Sequence, residues 1–149
     1  MATQSTVLSL RLPASERSRL ERLARRRGRT VGELAARMVV EGRRREDFPW
    51  IDFRESAVGR IACLQGTRLP VWWLVRITQQ FKGDARRAAG HLDLPLIQLQ
   101  AAFNYAQAFP EEIELAIRDY EQVTVEDLRR DLPNLEVFEA SAKPRGPRK

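Results

Sequence analysis

The residues best suited to specific chemistry lie near the start of the chain, where polar and apolar side chains alternate. Val7, Ser9 and Arg11 occupy one set of alternate positions, and Leu8, Leu10 and Leu12 occupy the other. An alternation of period two predicts a half-buried β-strand, because successive side chains of a strand point to opposite faces. Arginine and serine can hydrogen-bond to base edges, and a two-stranded ribbon fits the DNA major groove. The strand face that carries Val7, Ser9 and Arg11 is therefore predicted to contact bases.

A strand at residues 7–12 cannot be stable alone, because its backbone edges and its leucine face need a partner. Residues 1–45 contain no second strand pattern. The simplest solution is antiparallel pairing of this strand with the same strand of a second copy, while four helices cover the leucines. The sequence thus predicts a homodimer, whose stability depends on the protomer concentration.

Two helices are predicted after Pro13, which ends the strand. The first spans residues 14–27 and is closed by Gly28, a residue favoured just beyond a helix C-terminus. Thr30 and Glu33 match a capping box, in which each side chain accepts a hydrogen bond from the other residue's backbone amide. Apolar residues then recur at the helical spacing, at Val31, Leu34, Ala35, Met38 and Val39.

Residues 6–39 resemble the ribbon-helix-helix repressors, whose paired strands enter the major groove. The resemblance rests on the alternating strand, the two helices and the glycine turn between them. It implies base contacts from Val7, Ser9 and Arg11, and phosphate contacts from Arg29, Thr30 and Val31. The phosphate contacts agree with the physics of a helix N-terminus, which offers unpaired N–H groups and a positive dipole end.

The next segment, residues 46–60, lacks periodicity and is predicted to be a linker. It nevertheless contains the large apolar residues Phe48, Trp50, Ile51 and Phe53, which would not normally be left in water. We therefore expect this linker to dock on a domain.

A short strand at residues 60–64 and three helices at 70–81, 85–91 and 95–109 are predicted next. Gly83 ends the first of these helices, Asp84 can cap the second, and Pro95 begins the third. The third helix is expected to present one apolar face, formed by Leu96, Leu99, Phe103 and Ala106. Short helices with a tight turn before the third are typical of a helix-turn-helix arrangement.

The same region resembles the domain-of-unknown-function 433 family. The matching motifs are Gly-Thr-Arg-Leu-Pro-Val-Trp at 66–72, Leu-Pro at 94–95, Ala-Ala-Phe-Asn-Tyr-Ala at 101–106 and Pro-Glu-Glu-Ile at 110–113. The resemblance implies a small helix-turn-helix module that acts as the antitoxin of a VapB-type toxin–antitoxin pair. The toxin of such a pair is usually a PIN-like ribonuclease encoded by the neighbouring gene.

The third helix of this module could form a second DNA surface. Its polar face carries glutamine and asparagine side chains but no cation, so phosphate affinity would come from Arg86 and Arg87 on the preceding helix, with Gln98 beside the bases. The alternative interpretation is that this face packs against another protomer or against the toxin. The sequence leaves both possibilities open.

The distribution of charge separates the two ends of the chain. Residues 1–48 have a balance of +6, residues 111–139 have a balance of −7, and the whole chain has a net charge of +6. A basic head and an acidic arm indicate two different partners, nucleic acid for the head and protein for the arm. The runs Arg25–Arg27 and Arg43–Arg45 fit the nucleic-acid interpretation, although such runs can also be solvated helix faces.

The acidic arm is predicted to bind the toxin. An acidic helix is expected over residues 111–121, followed by apolar residues that offer anchors for a partner. The predicted toxin-binding residues are Ile113, Ile117, Tyr120, Leu128, Arg129, Arg130, Leu132 and Phe138. The family resemblance implies that Arg129 or Arg130 inserts among metal-binding carboxylates of the toxin. The alternative is that the arm packs on its own domain.

Several functions are disfavoured by composition. The chain has one cysteine, Cys63, and one histidine, His91, so it lacks the ligand spacing of a metal site. It also shows no Ser–His–Asp arrangement and no glycine-rich phosphate loop. No catalytic residue, metal or cofactor is expected. The absence of a long apolar run and of an N-terminal signal core predicts a cytoplasmic protein without membrane contact.

These observations predict a mainly α fold with two modules. A ribbon-helix-helix unit of one strand and two helices, dimeric, is expected at 1–45, a linker at 46–60 and a helix-turn-helix domain at 61–122. A partner-binding arm at 123–139 and a disordered tail at 140–149 complete the chain. The expected function is that of an antitoxin that represses its own operon by binding operator DNA and neutralises a PIN-like toxin. The alternative is a stand-alone transcriptional repressor with two DNA-binding modules.

Overall fold

The fold of the chain is mainly helical, with one small antiparallel sheet. A computed structural model describes residues 6–56, 59–124, 126 and 130. Along these residues the elements are α1 (Ala14–Arg26), α2 (Val31–Asp47), β1 (Ile51–Ser56), β2 (Gly59–Leu64), α3 (Val71–Gln79), α4 (Ala85–Leu92), α5 (Leu96–Ala108) and α6 (Pro110–Gln122). No helix in this part of the chain has both the length and the apolar character needed to cross a membrane.

The turn between α1 and α2 forms as its local signals predict. The amides of Gly28 and Arg29 donate to the carbonyl oxygens of Arg25 and Ala24, the hydrogen-bond pattern that closes a helix with a left-handed glycine. Gly28 has a φ of 59°, which explains why glycine stands there. The predicted capping box of Thr30 and Glu33 is confirmed at the start of α2.

The predicted strand at residues 7–12 is not formed within the single chain. Residues 6–13 have no regular secondary structure, and their side chains are exposed. A strand exists only when its backbone groups pair with a neighbour, and the two strands of the described residues pair with each other. The pairing of this segment with a second copy remains a prediction.

The expectation of an irregular linker at residues 46–60 is wrong. The helix α2 continues to Asp47, and the rest of the segment contains β1, which pairs with β2 in a hairpin that places Ile51 opposite Leu64. The alternation of Ile51 and Phe53 with polar residues was too short to be recognised as a strand. The expected docking of apolar residues is confirmed for Ile51 and Phe53, which are buried in the core, and for Phe48, which packs against it.

The second half of the chain folds as three short helices, α3, α4 and α5, against the hairpin and α6. The predicted strand at 60–64 and the three predicted helices are confirmed within one or two residues, and Asp84 caps α4 by accepting from the amides of Arg86 and Arg87. The predicted apolar face of α5 does face the core: Leu99 is buried in it, and Leu96, Phe103 and Ala106 pack against it. The helix also buries Ala102 and Tyr105. The aromatic ring of Tyr105 lies in the core, where it contacts the rings of Phe48, Phe53 and Phe109.

The two predicted modules are in direct contact. Glu41 of α2 accepts from Arg60 of β2, with Oε1 2.5 Å from Nε and Oε2 2.7 Å from Nη2. Arg60 also donates to the Phe53 carbonyl oxygen at 2.9 Å. Both side chains are largely buried, and the hydrogen bond with Glu41 raises the pKa of Arg60 despite the opposing effect of burial. The helix α2 is therefore fixed to the hairpin by a shielded ion pair and not held on a flexible linker.

Candidate nucleic-acid interface

A large apolar groove lies between the N-terminal segment and the helices α1 and α2. Its volume is about 820 Å³, and its lining includes Leu8, Leu10, Leu12, Leu20, Ala35 and Val39. The three leucines of the segment are 68%, 54% and 49% exposed. Apolar surface of this extent is costly in water, so the groove is a candidate surface for contact with another molecule.

The residues predicted to contact bases lie beside this groove. Val7, Ser9 and Arg11 are all exposed, and Arg11 itself lines the groove with the leucines. In the single chain this segment does not form a strand, so Arg11 lies on the same side as the leucines and not on the opposite face. The side chains are accessible to a nucleic acid or to a second copy.

The residues predicted to contact phosphate lie at the start of α2. Arg29 and Thr30 are exposed, and Val31 lines the same groove as Arg11, so the candidate base and phosphate contacts are brought to one side of the molecule. The backbone amide of Thr30 is already used, because it donates to Glu33 Oε2 at 3.0 Å. The first-turn amides of Val31 and Gly32 have no acceptor within the helix and are better placed for a phosphate.

Glu33 adds a negative charge to this helix start. The hydrogen bonds from Thr30, first the backbone bond and then the side-chain bond, lower the pKa of the Glu33 carboxyl, and the nearby Arg29 and Arg37 act in the same direction. An ionised carboxylate at the helix N-terminus competes with an incoming phosphate for the same dipole. A phosphate at this helix start would therefore need a nearby cation, and Arg29 precedes the helix.

The residues predicted to form a second DNA surface lie on two neighbouring helices and do not form a single site. Arg86 and Arg87 are exposed on α4, and Gln98 is half-buried on α5. Their helices pack on each other, yet among the described residues the hydrogen bonds of Arg86 and Arg87 run from their backbone amides to Asp84 and not to Gln98. The surface therefore offers two cations without a shaped site.

The three arginines at residues 43–45 form ion pairs within the same chain. Arg43 pairs with Asp47, Arg45 Nη2 lies 2.7 Å from Asp52 Oδ1, and Arg44 pairs with a residue of α6. The interpretation of this run as a nucleic-acid contact is therefore not supported by its geometry, because each guanidinium already has a carboxylate partner. Sequence reasoning missed two of these pairs, since their partners lie on other elements.

Arg44 is the centre of a cluster that joins α2 to α5 and α6. Its Nη1 atom lies 2.6 Å from Tyr105 Oη and 2.7 Å from Glu112 Oε2, and the Tyr105 hydroxyl donates to Glu112 Oε1 at 2.8 Å. The guanidinium also lies 3.9 Å from the ring centroid of Phe109. Burial and the neighbouring carboxylate of Glu112 raise the pKa of Tyr105, so the hydroxyl stays protonated and acts as a donor.

The predicted toxin-binding residues of α6 do not share one surface. Ile113 is only 6% exposed and lies in the core, and Ile117 packs against that core, so both side chains contribute to the domain itself, and contact with a toxin remains a prediction. The spacing placed them on one helix face, and that face is turned towards α3 and α5. Tyr120 is half exposed, and its ring lies 5.0 Å from Trp72 and 5.1 Å from the Arg76 guanidinium.

The remaining residues assigned to toxin binding lie further along the chain. Arg130 is exposed. Leu128, Arg129, Leu132 and Phe138 lie outside the described residues. The structure therefore places only part of the predicted arm.

No group of three His, Cys, Asp or Glu residues is positioned to hold a metal ion in the part of the chain that the structure describes. Cys63 is buried in β2, and burial raises the pKa of its thiol, which disfavours the thiolate form. Comparisons of the whole chain with protein-family models, curated proteins and solved structures found no match.

Proposed function

We propose that the protein is the antitoxin of a type II toxin–antitoxin pair, which binds its operator as a homodimer and neutralises a PIN-like ribonuclease. The observation that carries the proposal is the uncovered apolar groove beside Arg11. A second copy that pairs its residues 7–12 with those of the first would cover the leucines and form a ribbon of width suited to the major groove. The fold would then be a ribbon-helix-helix unit joined to a helix-turn-helix domain.

Pairing also separates the two faces of the segment. The leucines would turn into the shared core, and Val7, Ser9 and Arg11 of both copies would turn outwards together. Val31 and Gly32 line this groove, so their first-turn amides can hold a phosphate that flanks the bases, and the exposed Arg29 just before them can supply a cation. Sequence preference would come from Arg11, and affinity from the basic N-terminal third.

The toxin-binding part of the proposal is supported by the resemblance of residues 66–113 to an antitoxin family and by the acidic balance of residues 111–139. In this proposal Tyr120 and the residues from 128 onwards contact the toxin, and Arg129 or Arg130 approaches its metal-binding carboxylates. Ile113 and Ile117 stabilise the domain that carries this arm.

The alternative is a stand-alone repressor with two DNA-binding modules. It is favoured by one specific observation: the core takes up Ile113 and Ile117, while Arg86 and Arg87 are exposed on α4. The arm then has fewer anchors for a protein, and α4 has two cations for phosphates.

Gel-shift and co-purification assays test the proposal. Arg11→Ala should weaken binding to DNA from upstream of the protein's own gene by about 1–3 kcal/mol and relax base preference. Arg43→Ala removes the same charge from an intrahelical pair and serves as the matched control. Operator binding that survives Arg11→Ala but is lost in the double variant Arg86→Ala/Arg87→Ala would favour the alternative.

The toxin assignment needs a truncation that spares the fold. A stop after Pro110 would remove Ile113 and Glu112 from the folded domain, so a stop after Val123 is the better choice. Full-length and truncated chains are each co-expressed with the product of the neighbouring gene. Recovery of that product with the full-length chain alone supports an arm-bound toxin, and equal recovery with both chains excludes the arm as the binding element.

A further inference from the structure

A second, smaller groove lies between α6 and the strand β2, away from the N-terminal groove. Its volume is about 140 Å³, and its apolar lining is formed by Ile61, Ala62, Trp72, Ile113, Leu115 and Ala116. A cavity of about 150 Å³ holds a benzene-sized group, so this groove has room for one large apolar side chain. Leu115 is 53% exposed at its rim.

The charges around Leu115 follow the helical repeat. Glu111 precedes Leu115 by four residues and Asp119 follows it by four, so one face of α6 presents an apolar side chain between two carboxylates. Asp119 lines the groove and is exposed, and its carboxylate has no ion-pair partner among residues 6–56 and 59–124. A partner that fits this face carries an apolar anchor with cations on either side.

The other charged residues of the groove are already neutralised. Arg60 is paired with Glu41 and lies 3.5 Å from Glu55, and Glu112 is held by Arg44 and by the Tyr105 hydroxyl. Asp119 therefore sets the net charge that a partner meets inside the groove. The carboxylates on the rim repel nucleic acid and anionic lipid surfaces, which leaves a basic protein segment as the occupant.

We propose that the groove between α6 and β2 binds a helix of a partner protein that presents one large apolar side chain flanked by Lys or Arg. The inference deepens the proposed antitoxin function, because it assigns the surface and the chemistry by which the protein partner is recognised. It adds the exposed Leu115 and Asp119 to the predicted partner surface, with the mostly buried Ile113 at the inner wall of the groove. The apolar anchor supplies affinity, and the flanking cations fix the register along α6.

A peptide titration tests this inference on the full-length protein. The probe is a 16-residue alanine-rich helical peptide with a central Phe and a Lys four positions before and after it. In nitrogen-15 NMR spectra we expect it to shift the amide signals of Ala62, Leu115 and Asp119 more than those of α1. A matched peptide with Glu in place of both Lys should bind at least about tenfold more weakly, as should a peptide with Ala in place of Phe.

Two charge-reversal variants supply the control. Asp119→Lys should weaken binding of the lysine peptide about tenfold, whereas Glu114→Lys, on another face of α6, should have little effect. Leu115→Ser should also weaken binding, and circular dichroism checks that each variant is folded. Equal effects of the two charge reversals, equal binding of the lysine and glutamate peptides, or signal shifts confined to other elements would each overturn the inference.

The outcome is separable from that of the proposed function. If the neighbouring gene product co-purifies with the chain but the lysine peptide does not bind, the partner contacts another surface and only the groove assignment fails. If the peptide binds as expected while no neighbouring gene product co-purifies, the antitoxin proposal fails and the groove assignment stands.

Discussion

Removal of the Leu10 side chain tests the dimer on which DNA binding is proposed to depend. Leu10 is 54% exposed in the single chain, so a covering partner would bury roughly the second half of its surface. Full burial of a leucine stabilises a protein by about 1.5–3 kcal/mol. Burial of the exposed half of Leu10 should therefore stabilise the dimer by about 1 kcal/mol for each copy. Leu10→Ala removes the side chain from both copies, so the dimer should lose about 2 kcal/mol and its dissociation constant should rise about 30-fold.

Sedimentation equilibrium over a range of concentrations measures this dissociation constant. Leu115→Ala is the matched control, because Leu115 is 53% exposed on α6 and does not line the N-terminal groove. We expect its dissociation constant to equal that of the unmodified protein. A protein that is monomeric at all concentrations, or a Leu10→Ala variant that dimerises as well as the control, would refute the strand pairing.

Three further predictions concern stability. Glu41→Gln removes the carboxylate that pairs with the largely buried Arg60 and should lower the free energy of unfolding in urea by about 3 kcal/mol. Glu46 is exposed, so Glu46→Gln should change this free energy little. Equal losses in the two variants would show that the Glu41–Arg60 pair is not shielded. Tyr105→Phe removes the hydroxyl that bonds Arg44 and Glu112 and should lower the free energy of unfolding by about 1–2 kcal/mol in the same assay. An unchanged midpoint of urea unfolding would show that these hydrogen bonds do not stabilise the fold. The lowered pKa of Glu33 means that its contribution to stability is present above the ordinary carboxyl pKa and is lost as the pH falls through the lowered value. Thr30→Ala should raise the Glu33 pKa in carbon-13 NMR titrations, and an unchanged titration would show that the capping box is not its cause.

Elements with local signals were predictable from the sequence. The start of α2 was foreseen because Thr30 and Glu33 bond each other within one helical turn, and the start of α4 because Asp84 accepts from amides two and three residues away. Gly28 ends α1 through its own backbone conformation. These interactions involve neighbours along the chain, so residue type and spacing carry the information.

Contacts between distant residues were decided by the tertiary structure alone. Arg44 belongs to a basic run in the sequence, yet its partners are 61 and 68 residues away, and only the tertiary fold brings Tyr105 of α5 and Glu112 of α6 within reach of the Arg44 side chain. The direction in which Ile113 points likewise depends on how α6 rotates against the core. The alternation at residues 7–12 shows the same division, because the sequence determines which side chains share a face, whereas a strand forms only where a second backbone supplies the hydrogen bonds.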